Sequence, residues 1–222
     1  MPIYLALREP GGSEARNLLC LREAARLKGS LIGVYYNPQL RRLLAVFKVP
    51  PDARLDESVF ERVDPSVIEA SYRMECPKGC GRCCAVFSGA FVLDVEIRKL
   101  PSEVRQRIEA QPSRLVETVR GLVRVYELGT GPAGRCIFFN VKQRSCQLES
   151  YGRSCKPIIC LLTYCTIFAS RSGRLYLKVR AREVHGRYEM IYREATEEEW
   201  RRAIESLTRT VKRAMARKEG PS

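Results

Sequence analysis

The stretch CPKGCGRCC, Cys76 to Cys84, places four cysteines in nine residues, separated by three, two and then no residues. A chain of 222 residues is long enough to bury an apolar core of its own. Thiols at this density are therefore not needed merely to hold the fold together. Thiolates are soft ligands for zinc, copper(I) and iron-sulfur clusters, and closely spaced pairs lower the entropic cost of surrounding one ion. Gly79 and Gly81 let backbone amides turn toward sulfur while Pro77 stiffens the entry, so Cys80 and Cys83 read as a metal knuckle. Neighbouring side chains point apart in a strand and lie about 100° apart around a helix. Cys83 and Cys84 are thus not expected to serve one tetrahedral ion equally: one stands behind the other, or a multinuclear cluster or second site uses both. A helix starting near Cys80 would put Cys80, Cys83 and Cys84 on one face.

Further along the chain a second group follows in GRCIFFNVKQRSCQLESYGRSCKPIIC, with Cys136, Cys146, Cys155 and Cys160, and Cys165 shortly after. Two separated groups of thiols point to one site assembled from both. The metal-ligand candidates are Cys76, Cys80, Cys83, Cys84, Cys136, Cys146, Cys155 and Cys160. Arg82, Arg135, Arg153 and Lys156 lie close in sequence and can lower thiol pKa values and offset the charge. The competing reading is a set of disulfides, as in the disulfide-rich cytosol of hyperthermophiles. The vicinal pair speaks against it, since adjacent cysteines rarely bridge to each other.

These residues resemble the YkgJ-type cysteine-cluster family of zinc- or iron-chelating proteins. That family combines a CxxCxxCC-like block, a later Gly-x-Cys strand, a further cysteine, and a tyrosine ahead of an Arg-Pro-x-x-Cys helix. The similar region runs from about Cys76 to Cys160, with VLDVEIRKL similar to the family's helix after the vicinal pair. By position the resemblance implies Cys76, Cys80, Cys83, Cys84, Cys136, Cys146 and Cys160 as ligands. The chain departs from the pattern in its first spacing, in Lys156-Pro157 standing for Arg-Pro, and in inserted residues that include Cys155. Relatives linked to lysine N-methylation of flagellin imply S-adenosylmethionine by resemblance only.

Around this block the chain reads as α+β, with a small N-terminal α/β unit over 1–73 and a cysteine-cluster domain with a C-terminal helix over 74–222. PIYLALR reads as a strand, and Ser13 caps a helix through about Lys28 that carries Cys20 as a core thiol. SLIGVYY and LLAVFKV flank NPQLRR as a hairpin, and a short helix is expected around ESVFERV or PSVIEASY. AFVLD is a strand or a helix entry, followed by helices in DVEIRKL and SEVRQRIEA and strands in LVRVYEL and CIFFNV. LLTYCTIFA, RLYLKVRA and YEMIYRE complete the strands, with RSG as a turn. The last helix, from TEEEWRR onward, opens on a Thr196/Glu199 capping box and carries Trp200, Ile204, Leu207, Val211 and Ala214 as its apolar stripe.

GTGPAG, Gly129 to Gly134, matches a dinucleotide-loop pattern but leads into CIFFNV instead of a helix, and reads as a hairpin loop presenting Cys136. His185, the single histidine, reads as a turn residue. No apolar run reaches the roughly 20 residues of a membrane span, and a cytoplasmic protein is expected. The net charge of +14 favours polyanions only through a sequence-blind term. The leading functional reading is a metal-binding protein whose thiolates hold an iron-sulfur cluster or iron, in a redox or protein-modifying system with a protein partner or substrate. The alternative is a zinc scaffold whose basic surface meets nucleic acid or a protein partner.

Overall fold

The computed structural model describes residues 1–8, 13–74, 81–86, 90–131, 135–162, 168–184 and 187–216. In chain order, strand β1 (Ile3–Leu7) precedes helix α1 (Glu14–Arg26), the hairpin β2 (Leu31–Asn37) and β3 (Arg42–Val49), β4 (Phe60–Arg62), α2 (Pro65–Glu69) and β5 (Tyr72–Met74). The middle of the chain holds α3 (Arg82–Val86), β6 (Phe91–Leu93), α4 (Asp94–Ile97), α5 (Ser102–Glu109), β7 (Ser113–Thr118) and β8 (Gly121–Glu127). Two short strands, β9 (Phe139–Asn140) and β10 (Ser145–Cys146), lead to α6 (Ile158–Leu162). Strands β11 (Phe168–Arg171), β12 (Arg174–Val184) and β13 (Arg187–Glu194) come before the long helix α7 (Glu197–Ala216). The fold is α+β with a C-terminal helix.

The chain forms two units, and they are interleaved rather than consecutive. The first comprises Met1–Glu9, Gly29–Cys76 and Tyr164–Ala203; the second comprises Pro10–Lys28, Pro77–Thr163 and Ile204–Ser222. A division at 73/74 therefore does not describe them. The reason is long-range pairing: β11 returns antiparallel to β5, with Ala169 opposite Met74, and carries β12 and β13 with it. Helix α1, expected with the N-terminal strands, packs instead on β7.

The first unit is an eight-stranded sheet in the order β13-β12-β11-β5-β2-β3-β1-β4. Alternation sets its two faces, as a period of two requires. Leu5, Phe47 and Val49 lie buried on one face, and Ala6, Leu44 and Val46 on the other, where Val67 and Ile68 of α2 cover them. Trp200, near the start of α7, meets the buried Phe168 edge-on at 4.8 Å between ring centroids. Of the two stretches offered for a short helix, PSVIE supplies it, while ESVFERV supplies β4, where Phe60 pairs opposite Leu7 and is buried. Ser172 and Gly173, both at positive φ, make the tight turn between β11 and β12.

The second unit gathers α1, the sheet β6-β8-β7, α4, α5, the cysteine segments, α6 and the C-terminal part of α7. Its core includes Val92, Ile97, Val104, Ile108, Leu128, Phe138, Leu148 and Val211, and Cys136 and Cys155 belong to it. CIFFNV, expected as a strand, forms one only at Phe139–Asn140; Cys136 and Phe138 place sulfur and ring in that core, while the Ile137 amide bonds the Leu128 carbonyl at 2.8 Å. The helix expected near Cys80 is α3, one short turn from Arg82. Among the described residues no helix is long and apolar enough to cross a membrane.

Candidate metal centre

Gly81 meets the β9–β10 hairpin. This glycine sits at φ +60°, and a Cβ there would stand 2.7 Å from Phe139 Cε2 and 2.8 Å from the Arg144 carbonyl oxygen. Only glycine supports both that conformation and that approach. Its carbonyl accepts from Ala85 N at 2.9 Å, which starts α3 and carries Cys83 and Cys84. The Cys84 carbonyl then accepts from Cys136 N at 3.0 Å, stitching the first cysteine group to the second through the backbone.

The thiols converge on Cys84, whose sulfur lies 3.9 Å from Cys83 Sγ and shares hydrogen bonds with Cys136 and Cys146. Both residues lie on the α3 turn, the case in which a helix near Cys80 was expected to put Cys83 and Cys84 on one face, and their sulfurs are in contact. A tetrahedral ion with metal–sulfur bonds near 2.3 Å needs sulfurs roughly 3.8 Å apart, so this pair is spaced as two ligands of one metal would be. Among the described residues no three His, Cys, Asp or Glu side chains are arranged as a finished metal site. What they form is a thiol cluster held by mutual hydrogen bonds.

The electrostatics follow from that packing. Hydrogen bonds to Cys136, Cys146 and Cys83, reinforced by burial, push the Cys84 thiol far up. Its neighbours move the other way. The hydrogen bond from Cys84 brings Cys83 down to about 6, against burial and with help from the Lys156 charge. Sharing that single Cys84 proton also lowers Cys136, and lowers Cys146 to about 7. Backbone amides contribute as well, Phe138 N–H donating to Cys136 and Leu148 N–H to Cys146, each two residues beyond its sulfur. Cys160 is raised, first by burial and then by the negative neighbours Cys136, Cys83 and Cys146. Burial opposes the Lys156 charge, but its 2.6 Å bond to Glu149 and the thiols at Cys146 and Cys84 outweigh burial and raise its pKa.

Of the expected ligands, Cys83, Cys84, Cys136 and Cys146 are brought together, and Cys160 borders them. Cys155 is buried with its Sγ 3.3 Å from the Tyr151 carbonyl, a donor's position and not that of a member of the cluster. Cys20 is buried on the inner face of α1. Cys76, Cys80, Cys165 and His185 lie outside the described residues. Residues 132–134 of GTGPAG do too, while Gly131 and Arg135 on either side pair as an antiparallel bridge. Among the described residues, Cys83, Cys84, Cys136, Cys146, Cys155 and Cys160 are thiols and not disulfides. Lys156 faces the cluster as expected, whereas Arg82 is exposed.

Two residues of this region were not singled out in the sequence. Glu96 is 4% exposed, and its carboxylate takes Lys28 Nζ at 2.9 Å, Ile158 N at 2.8 Å and Leu93 N at 3.3 Å. Lys28 Nζ also donates to the Lys156 carbonyl at 2.9 Å. The available signal was a glutamate within the apolar stripe Leu93, Ile97, Leu100.

Comparison of the chain with families of known proteins, with curated proteins and with solved structures finds no match.

Proposed function

We propose that this chain is a thiolate metalloprotein whose cysteine cluster holds an iron-sulfur cluster or iron. The observation that carries the reading is the convergence of Cys83 and Cys84 with Cys136 and Cys146 on one point, with Cys160 alongside. The donor set fits such a group: all the converging ligands are soft sulfur, two accept backbone amides, and Lys156 supplies one positive charge against several developing negative ones. Several thiols forced to share protons gain from a cation that replaces those protons. More than four candidate sulfurs, counting Cys76 and Cys80, favour a cluster or two ions over one zinc. The resemblance of CPKGCGRCC and the later segments to the YkgJ-type family supports the same reading and extends it to a redox or protein-modifying system.

In this reading Cys83, Cys84, Cys136 and Cys146 hold the group, the Phe138 and Leu148 amides orient two of the sulfurs, and Lys156 offsets their charge. A bound cluster would supply electron transfer; a bound zinc would supply structure alone. Purification without oxygen, with visible spectrum and with iron, zinc and acid-labile sulfide measured on one sample, tests it. Stoichiometric iron and sulfide with a brown colour is the expected result. Colourless protein with stoichiometric zinc would replace it with the scaffold reading, and metal-free protein would overturn both.

A further inference from the structure

We infer that Lys28 and Glu96, neither of them next to a cysteine of the cluster in sequence, are positioning residues that set one wall of the thiol site through the tripeptide Lys156-Pro157-Ile158. The inference rests on the metal-centre reading above for its purpose, and on hydrogen bonds alone for its geometry. Lys28 Nζ holds the Lys156 carbonyl at 2.9 Å, and Glu96 Oε1 holds the Ile158 amide at 2.8 Å. Between them Pro157 fixes its own φ. Both ends of the tripeptide are thus pinned, and the pins are joined to each other by the 2.9 Å Lys28–Glu96 ion pair, with side chains 12% and 1% exposed.

Two groups depart from the pinned backbone. The Lys156 side chain runs to Glu149 and to the charge at Cys146, Cys84 and Cys83. Cys160 lies on the turn that Pro157 opens, its amide bonded to the Pro157 carbonyl at 2.9 Å. A buried ion pair is an expensive way to join the turn after α1 to α4, and apolar side chains of similar volume often serve equally well. Apolar side chains could not, however, donate to one backbone carbonyl and accept from an amide two residues on. That double contact is what the charged pair adds, and it acts on the segment bearing Lys156 and Cys160.

The test compares wild type with Glu96→Gln and Lys28→Met in the full chain, at matched folded fraction. Each protein is stripped with a chelator under anaerobic conditions and briefly exposed to iodoacetamide, with labelling read cysteine by cysteine. Zinc is then titrated back as a defined probe. Selective labelling of Cys160, about tenfold above wild type with Cys20 unchanged, and zinc retention weakened by about 10–100-fold, are expected for Glu96→Gln. Lys28→Met should shift both readouts in the same direction by less, because the Glu96 contact to Ile158 survives. It decides the question if Glu96→Gln does not fold. Labelling of Cys160 and Cys20 rising together would mean general loosening and would overturn the inference, as would no change at Cys160. Absence of zinc binding by the wild-type chain would count against the metal-centre reading, while the labelling contrast would still decide the positioning role.

Discussion

The two units are built on different kinds of interior. In the first, the buried positions of an eight-stranded sheet are mainly apolar and aromatic, with Phe47 against Phe60 at 5.5 Å and Tyr36 against Tyr192 at 4.9 Å, and its buried polar pair, Asn37 and Ser71, is satisfied by a 3.0 Å hydrogen bond. In the second, the core around Phe138 and Leu148 also admits thiols and lies beside a buried ion pair. An apolar interior is stable by burial alone, whereas ionisation of Cys83 and Cys146, whose pKa values are lowered to about 6 and 7, crowds like charges that a cation would offset. If the proposed metal centre is present, the stability of the first unit should be indifferent to metal, and that of the second should depend on it.

The largest expected effect separates the units by metal. Cys84→Ser removes the sulfur on which the others converge and should lose most of the bound metal, while Cys20→Ser, a change in the α1 core, should keep full metal content. Metal analysis of both variants checks this, and equal loss in the two would erase the distinction between ligand and core thiols.

Next in size is the reverse case. Phe47 is fully buried in the first unit, and Phe47→Ala should lower stability by about 3–5 kcal/mol in denaturant unfolding. Metal per folded chain should stay unchanged. Metal lost in proportion to the stability change would mean that the two interiors act as one.

Gly81→Ala probes the contact of this glycine with the β9–β10 hairpin. The methyl would strike the Phe139 ring and the Arg144 carbonyl at a positive φ, so a loss of about 1–3 kcal/mol is expected. Weakened metal retention should accompany it. A variant with wild-type stability and metal content would show that the segment docks differently.

The smallest effect lies at the start of α7. Hydrogen bonds from Arg193, with help from the Thr196 amide, bring Glu199 down to about 2. A carboxylate lowered in the folded state stabilises it above its ordinary pKa, and that contribution fades as pH falls through the folded value. Acid unfolding of wild type and Glu199→Gln should therefore differ near neutral pH and converge toward about pH 2. Both partners are solvent-exposed, so the difference should also shrink in high salt.

Features written in local sequence were legible. The Thr196/Glu199 capping box forms in both directions, with Thr196 N to Glu199 Oε2 at 3.0 Å and Glu199 N to Thr196 Oγ1 at 3.2 Å. Ser13 caps α1, and β2 pairs with β3 as a hairpin. What depends on distant partners was not. Strand β7, SRLVET, is too polar to stand out and exists because β8 pairs along its whole length. The interleaving of the units follows from β11 choosing β5, a pairing that no local pattern encodes. At the site, cysteine spacing nominated eight thiols together, of which Cys83, Cys84, Cys136 and Cys146 are brought into one cluster; spacing gave no sign that the Cys155 thiol turns to the Tyr151 carbonyl. It was equally silent on Glu96, because a buried acid is marked only by partners brought in from Lys28 and Ile158.

The most direct test of the central claim is X-ray absorption at the iron and zinc edges of protein purified without oxygen. The account predicts stoichiometric metal in an all-sulfur first shell at about 2.3 Å, lost in Cys84→Ser. A shell dominated by oxygen or nitrogen, or one unchanged in Cys84→Ser, would contradict it.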